Sequence, residues 1–374
     1  MKRLALISCF ALAALVPATA ETREIEARPG EELTVDLQTG AQLEITGWSR
    51  DLVAVEAEFT GKDRDDIEFT VRRISGGVEI LSDYRARKPN RNSGGTIRVR
   101  VPARFDLNLN SMGGGIEIEG VDGRISGETM GGQMMLRGLR GEVNLTTMGG
   151  NIKLTDSEVD GKLETYGGNV TIRDVIGNVE GATMGGRVTY DNVQPSPSSA
   201  GDGREVKITT MGGDIDAPNA PHGASLETMG GDIHIEYAGK YVKAKTMGGN
   251  ITIESVDGWV KATTMAGDLN VRMTGDPREG KRDVRLISMT GDVDLTLPDG
   301  MSMEIDITVA YTKHSSRNYK IDSDFPLAIK ESPTWEYENG SPRKRIHGSA
   351  VAGDGEHRIK IETVNGNVRL RRGS

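Results

Sequence analysis

The residues best placed to do chemistry are acids that recur at a fixed offset. Asp214, Asp232, Asp268 and Asp292 each directly follow a two-residue turn, Gly-Gly, Ala-Gly or Thr-Gly, and the equivalent place is held elsewhere by Asn151, Asn169, Arg187 and Asn250. Carboxylates stacked one above another would repel, and a bound cation would relieve the repulsion, which makes calcium the metal to consider. The calcium-binding nonapeptide roll offers a comparison. It needs Gly-Gly-x-Gly-x-Asp in both halves of each turn, whereas here one half carries the glycines and the acid follows them directly. Asn and Asp also suit a turn for a purely structural reason, because the side chain bonds nearby backbone amides and tolerates left-handed φ. The turn reading is favoured over the calcium reading, and no other metal or cofactor is expected.

Other chemistries find less support. The histidines His222, His234, His314, His347 and His357 are scattered and none sits in a motif, so no catalytic residue is assigned. Cys9 is the single cysteine and lies in the leader described below, which removes disulfides, a thiol nucleophile and thiolate metal sites from the mature chain. Aromatic residues are 4% of the chain, poor material for a sugar-binding platform, and Tyr166, Tyr190, Tyr237 and Tyr241 fall near one another without sharing a column. Without the leader, 44 basic residues face 55 acidic ones, a net charge of about −11. Such a chain is not built to hold nucleic acid or an anionic membrane surface.

The elements that position these residues come from one repeated phrase. Thr129-Met130-Gly131-Gly132 returns every 18 residues at Thr147, Thr165 (with Tyr166 for methionine) and Thr183, then at Thr210, Thr228 and Thr246. Worn copies follow as Thr264-Met265-Ala266-Gly267 and Ser288-Met289-Thr290-Gly291, and an early one stands at Ser111-Met112-Gly113-Gly114. Fixed-period similarity of this kind is the mark of a solenoid. After each glycine pair the chain alternates, as in Asn151-Ile152-Lys153-Leu154-Thr155, which is the period of a strand with one buried face. Aligning the repeats gives apolar columns such as Ile116, Met134, Ile152, Val170, Val188, Ile215, Ile233, Ile251, Leu269 and Val293. A second inward column lies two residues before each threonine, with Leu145, Leu163, Ile208 and Leu226 among its members. The fold class predicted is all-β: a β-solenoid with 18-residue rungs, two short strands per rung, and β-rich caps at both ends. Ten rungs at roughly 4.8 Å give a rod about 50 Å long. The glycine pair is expected to supply positive φ, the threonines to stack hydroxyl over hydroxyl, and the methionines to mark a corner, filling an uneven gap or lying exposed as a stripe.

Taken in order, Met1 to Ala20 reads as a secretory signal peptide: Lys2 and Arg3, an apolar run from Leu4 to Val16, and the small residues Ala18-Thr19-Ala20. The run is too short for a retained membrane span. Leu6-Ile7-Ser8-Cys9 resembles a lipoprotein box but comes too early in the apolar stretch. Residues 21–105 are expected to form an N-terminal β-rich cap with a basic loop from Arg85 to Gly95. Residues 106–300 form the repeat solenoid, with loops bulging at Gln194 to Gly201 and at Gly275 to Gly280. Residues 301–374 form a C-terminal cap with a long polar loop, Lys313 to Arg345, and a closing rung at Thr363-Val364-Asn365-Gly366-Asn367-Val368. If something specific is bound, caps and loops are better candidates than uniform rungs.

Three stretches carry a family resemblance: Gly47-Trp48-Ser49-Arg50-Asp51-Leu52-Val53-Ala54-Val55-Glu56-Ala57, the entry Val99-Arg100-Val101-Pro102-Ala103, and the recurring Thr-x-Gly-Gly-x-Ile-x-Ile. Together with the closing rung they resemble the bacterial DUF4097 family, also called the "putative adhesin" domain. The resemblance implies an exported, repetitive β-solenoid and hands over no catalytic residues. The function expected is a non-enzymatic adhesin or scaffold at the cell envelope, periplasmic or extracellular, with an envelope or surface protein or glycan as partner. An envelope-component sensor using the Lys313 to Arg345 loop and a glycan-active β-helix enzyme are the alternatives.

Overall fold

The structure, a computed structural model, describes residues 21–85, 93–194, 205–313, 318–338 and 341–373. The stretch expected to be a signal peptide, with Cys9, most of the expected basic loop before Gly95, the expected bulge after Gln194, and His314 lie outside the described residues.

Strands dominate, with one short 3-10 turn at Arg64–Asp66. Repeats stack in parallel and in register: Ile116 pairs with Met134, Met134 with Ile152, Ile152 with Val170, and Val170 with Val188. The column continues through Ile215, Ile233, Ile251, Leu269 and Val293. All ten of these side chains are buried. The second inward column, with Leu145, Leu163, Ile208 and Leu226, is buried as well. Alternation of inward apolar and outward polar residues therefore becomes two sheets closed over a shared thin core.

Two short strands per rung is too simple for some rungs. Ile152–Thr165 and Ile251–Thr264 are each one continuous strand of 14 residues; the second bends where its ladder is interrupted, with a register shift between Ile253 and Val256. In the rungs from Gly120 to Asn192, the first of these strands included, the bend comes from single left-handed residues in a column of their own: Gly120, Gly138, Asp156, Asp174 and Asn192, with φ of 69°, 63°, 52°, 53° and 51°. Glycine reaches that region without strain, and Asp and Asn tolerate it. One residue in that region turns the chain, and the ladder closes again directly after it.

The positive φ expected of the glycine pair is thus found mainly at the opposite corner. Within the pairs only Gly114 and Gly132 lie well inside the left-handed region, at φ 89° and 81°. What requires the second glycine of the other pairs is the rung beneath. A Cβ on Gly150, Gly168, Gly186, Gly213, Gly231, Gly249 or Gly267 would come within 1.6 to 2.1 Å of the previous rung's glycine carbonyl oxygen. The first glycine is under no such constraint: a Cβ on Gly131 or Gly149 meets nothing, and on Gly167 or Gly230 it makes only ordinary contact at 3.6 and 3.5 Å. Ala266 and Thr290 occupy that first place in the worn copies, as the sterics allow.

The threonine column also differs from hydroxyl stacked on hydroxyl. From Thr147 to Thr264 each Oγ1 donates to the second glycine carbonyl of the previous rung at 2.7 to 3.2 Å. From Thr147 to Thr246 it also accepts the second glycine N–H of its own rung, at 3.1 to 3.3 Å. A hydroxyl can do both at once, and these threonines are buried, so each relays one rung's turn to the next with neither group left unpaired.

The ladder does not stop where the 18-residue phrase stops. Glu32–Leu37 and Gln42–Trp48 form a rung that pairs in parallel with Asp106–Ser111 and Ile116–Glu119. On its other side it pairs in parallel with Gly77–Tyr84 and Ser93–Pro102. The chain therefore makes this rung, goes outward to build the terminal one, and returns past it. The C-terminal end mirrors this. The closing strands His357–Val364 and Val368–Gly373 lie between Val284–Ser288/Val293–Pro298 and the earlier strands Met303–Thr312 and Ile321–Ser323. Antiparallel strands, Leu52–Gly61 at one end and Ser341–Ala352 at the other, cover the outermost edges. Counted along the first inward column, from Ile97 through Leu43 to Val368 and Ile321, the rod has 14 rungs. That makes it roughly 60 Å long.

Candidate functional site

The aspartates singled out from sequence do form a column, and its geometry is that of a ladder. Asp214 Oδ1 accepts the backbone N–H of Asp232 at 3.0 Å, and Asp232 Oδ1 accepts that of Asn250 at 2.7 Å. Asn250, Asp268 and Asp292 continue the pattern to Asn367, each step at 2.8 Å. Asn250 separates the two aspartate pairs. Arg187 lies 2.6 Å from Asp214 at one end and Asn367 Nδ2 lies 3.2 Å from Asp292 Oδ1 at the other. Each carboxylate thus does what the asparagines in the same column do, satisfying a rung-edge amide. Among the described residues no group of three or more His, Cys, Asp or Glu is arranged to hold a metal ion.

An open cleft of about 610 Å³ sits beside the strand Val188–Gln194. Glu142, Asp160, Glu180, Glu205, Tyr190 and His222 are on its walls. Its acids are already engaged: Asp160 by the Asn178 amide at 2.6 Å, Glu180 by Lys207 at 3.5 Å, Glu142 by Asn144 at 2.9 Å, and Glu205 by the Tyr241 hydroxyl. Tyr190 replaces an aliphatic residue of the inward column, and the space comes from Gly181, whose Cβ would lie 3.2 Å from the phenol oxygen. That buried hydroxyl donates to Val179 O at 2.7 Å and accepts from Gly181 N–H at 2.6 Å. Burial pushes its pKa upward, so it stays a neutral phenol.

Of the described histidines, His234 has the most polar surroundings. Its Nδ1 lies 3.3 Å from Asp216 and its Nε2 3.1 Å from Glu254. Burial opposes the imidazolium, but the hydrogen bonds to Glu254 and Asp216 outweigh it and raise the pKa. Both ring nitrogens are occupied by carboxylates, so neither faces a nucleophile it could deprotonate. His347 lies 3.5 Å from Asp306, and His357 is buried at the start of the closing rung.

The four tyrosines separate. Tyr166 stands in the methionine column, Tyr190 is in the core, and Tyr237 is exposed. Tyr241 stacks on Trp259, ring centroids 4.9 Å apart, with Lys243 and Lys281 over the indole face. Sequence reading missed this pair, although 18 residues separate Tyr241 from Trp259 and the period alone superposes them. Two further surfaces were only half legible. The methionine column is an exposed ridge, Met112, Met130, Met148, Met184, Met211, Met229, Met247, Met265 and Met289 being 42% to 53% accessible. At the C-terminal cap, Trp335 meets Tyr311 edge-on at 5.7 Å and carries Lys344 over its face. Tyr337, Val351 and Ile329 stand out nearby along the sequence, at 83%, 69% and 51% exposure.

An all-β rod with laddered faces and aromatic, apolar caps defines a class of repetitive β-solenoid proteins. The chain belongs to the Toastrack DUF4097 family, whose model matches residues 24–371. Similar solved structures include a "putative cell adhesion protein" from Clostridium sporogenes, 9% identical, covering 95% of this chain and 100% of that one with a TM-score of 0.21. A "putative lipid binding protein" from Parabacteroides distasonis is 17% identical, covering 69% and 98%, with a TM-score of 0.32. A "putative adhesin" from Bacteroides fragilis is 10% identical, covering 94% and 97%, with a TM-score of 0.19. No curated protein matches the chain.

Proposed function

We propose that the protein is an exported, non-enzymatic adhesive scaffold of the cell envelope: a stiff rod that carries a contact surface on its C-terminal cap. The observation that carries this reading is the outer layer of that cap. Strands Ala328–Glu331 and Glu336–Glu338 pair antiparallel with Ser341–Ala352. This layer leaves Tyr337, Ile329 and Val351 largely uncovered at successive points along Ser341–Ala352, with Lys344 over Trp335 near the Tyr337 end. Exposed aromatic and apolar side chains rimmed by cations are the composition of a recognition surface. Apart from the narrow methionine ridge, the rungs offer repeated polar ladders such as the Asn/Asp column, whose hydrogen bonds are already made. Export is supported by the leader at Met1 to Ala20.

The test is cellular. A strain lacking the gene is complemented with the wild-type chain or with Tyr337→Ala/Trp335→Ala, and attachment to surfaces is scored together with fractionation of the envelope. The reading predicts envelope or extracellular recovery of both chains and attachment restored by the wild type alone. Cytoplasmic recovery, or equal attachment by both, contradicts it.

A further inference from the structure

We propose that the methionine ridge is a binding site for soft monovalent cations of the Cu(I) and Ag(I) type, held between thioethers on neighbouring rungs. Nine methionines stand at one corner of successive rungs, each about half exposed, with Tyr166 interrupting the column between Met148 and Met184. Backbone hydrogen bonds fix the spacing: Met229 N–H donates to Met211 O and Met247 N–H to Met229 O, both at 3.2 Å. Neighbouring thioethers therefore start about 4.8 Å apart on a rigid frame. Thioether sulfur is a soft, polarisable ligand that selects Cu(I) over hard cations. Flexible side chains at that spacing can converge on one ion without backbone movement.

Two observations separate this from packing or docking. Packing does not need the exposed sulfur, since the buried threonine before it and the second glycine after it already close the corner. From Met112 to Met247 the first glycine is required neither by φ nor by space, and its bareness leaves the flank of those sulfurs open to an approaching ion, whereas Ala266 and Thr290 take that place after Met265 and Met289. The ridge is also one side chain wide, bordered by buried threonines and by the polar Asn/Asp ladder. A protein interface needs about 800 Å² from each partner in a broad patch, which such a strip does not offer. In the described residues, which exclude Cys9, thioethers are the only sulfur ligands.

The arrangement predicts a dependence on neighbours and not merely on methionine count. Two quadruple variants of the mature chain test it. Met130→Leu/Met211→Leu/Met247→Leu/Met289→Leu leaves every remaining ridge methionine with a leucine or Tyr166 on the adjoining rung. Met112→Leu/Met184→Leu/Met265→Leu/Met289→Leu removes the same number but keeps Met130 beside Met148, and Met211, Met229 and Met247 together. Leucine conserves volume, and thermal melting verifies that both variants fold. Cu(I) is titrated anaerobically against a chromophoric Cu(I) chelator, with free methionine as reference. The wild type and the second variant are expected to bind at least about 100-fold more tightly than free methionine, the gain of joining two ligands on one frame. The first variant should fall to the level of free methionine. X-ray absorption of the loaded wild type should show a first shell of sulfur. Equal affinities for the two variants, a wild type no better than free methionine, or a nitrogen-dominated shell from the histidines would overturn the proposal.

Discussion

At the scale of single residues, several polar groups in the thin core have both of their bonding capacities met. Tyr190 is the clearest case, a phenol held between Val179 O and Gly181 N–H with the room supplied by a glycine. Tyr190→Phe leaves both backbone groups unpaired in the interior and should cost about 1–3 kcal/mol, read by urea denaturation. His234 makes a pH-dependent contribution. Its folded pKa is raised above the ordinary 6.5, so its carboxylate pairs stabilise the fold fully below that value and lose their effect as pH climbs through the folded pKa. The melting-temperature deficit of His234→Gln should accordingly be larger near about pH 5.5 than near about pH 8.5. Only part of this could be read from sequence. Tyr190 sat in an apolar column without any sign of its glycine partner; Asp216 lies 18 residues before His234, so the period superposes them, but the contact with Glu254 across rungs is not implied by the period.

At the scale of the element, the repeat phrase separates into positions with different physical reasons. The second glycine is there because the rung beneath leaves no room for a Cβ, the threonine because its hydroxyl couples two turns, and the first glycine for neither reason. Gly168→Ala puts a methyl 2.1 Å from Gly150 O and should cost more than about 3 kcal/mol. Gly167→Ala, one residue earlier, meets nothing closer than 3.6 Å and should stay within about 0.5 kcal/mol. Paired thermal melts of the two variants check the contrast. The period and the inward columns were legible because burial on one face imposes alternation. The cause of the glycines was not, since positive φ and inter-rung contact select the same residue and only coordinates distinguish them.

Over the whole molecule, register is what makes a chain with few aromatics and short strands a single body. Excising Thr147–Glu164, one full period, joins equivalent points of two rungs and should leave a cooperatively folded, shorter rod. Removing one residue fewer leaves one extra residue at the junction, which must be absorbed as a bulge within a single rung, as the chain absorbs nine extra residues between Met184 and Met211 and six between Met265 and Met289. That variant should stay folded but melt below the in-register deletion, as monitored by circular dichroism and gel filtration. The threading at both ends escaped the sequence, because Glu32–Leu37 and His357–Val364 carry ordinary alternation with nothing to say which neighbours they meet. Its consequence is that the rungs containing Glu32–Leu37 and His357–Val364 each lie between two others, and the terminal strands beyond them carry an antiparallel cover that protects the open sheet edge.

The account of function rests on recognition by the C-terminal cap without turnover. The most direct measurement applies the purified mature chain to an array of envelope and host-surface glycans and proteins, beside Tyr337→Ala/Trp335→Ala, with product analysis of every bound polysaccharide. The account predicts saturable binding that the double variant loses, with the bound material recovered intact. Binding unchanged in the double variant, or cleaved polysaccharide in the wild-type incubation, would contradict it.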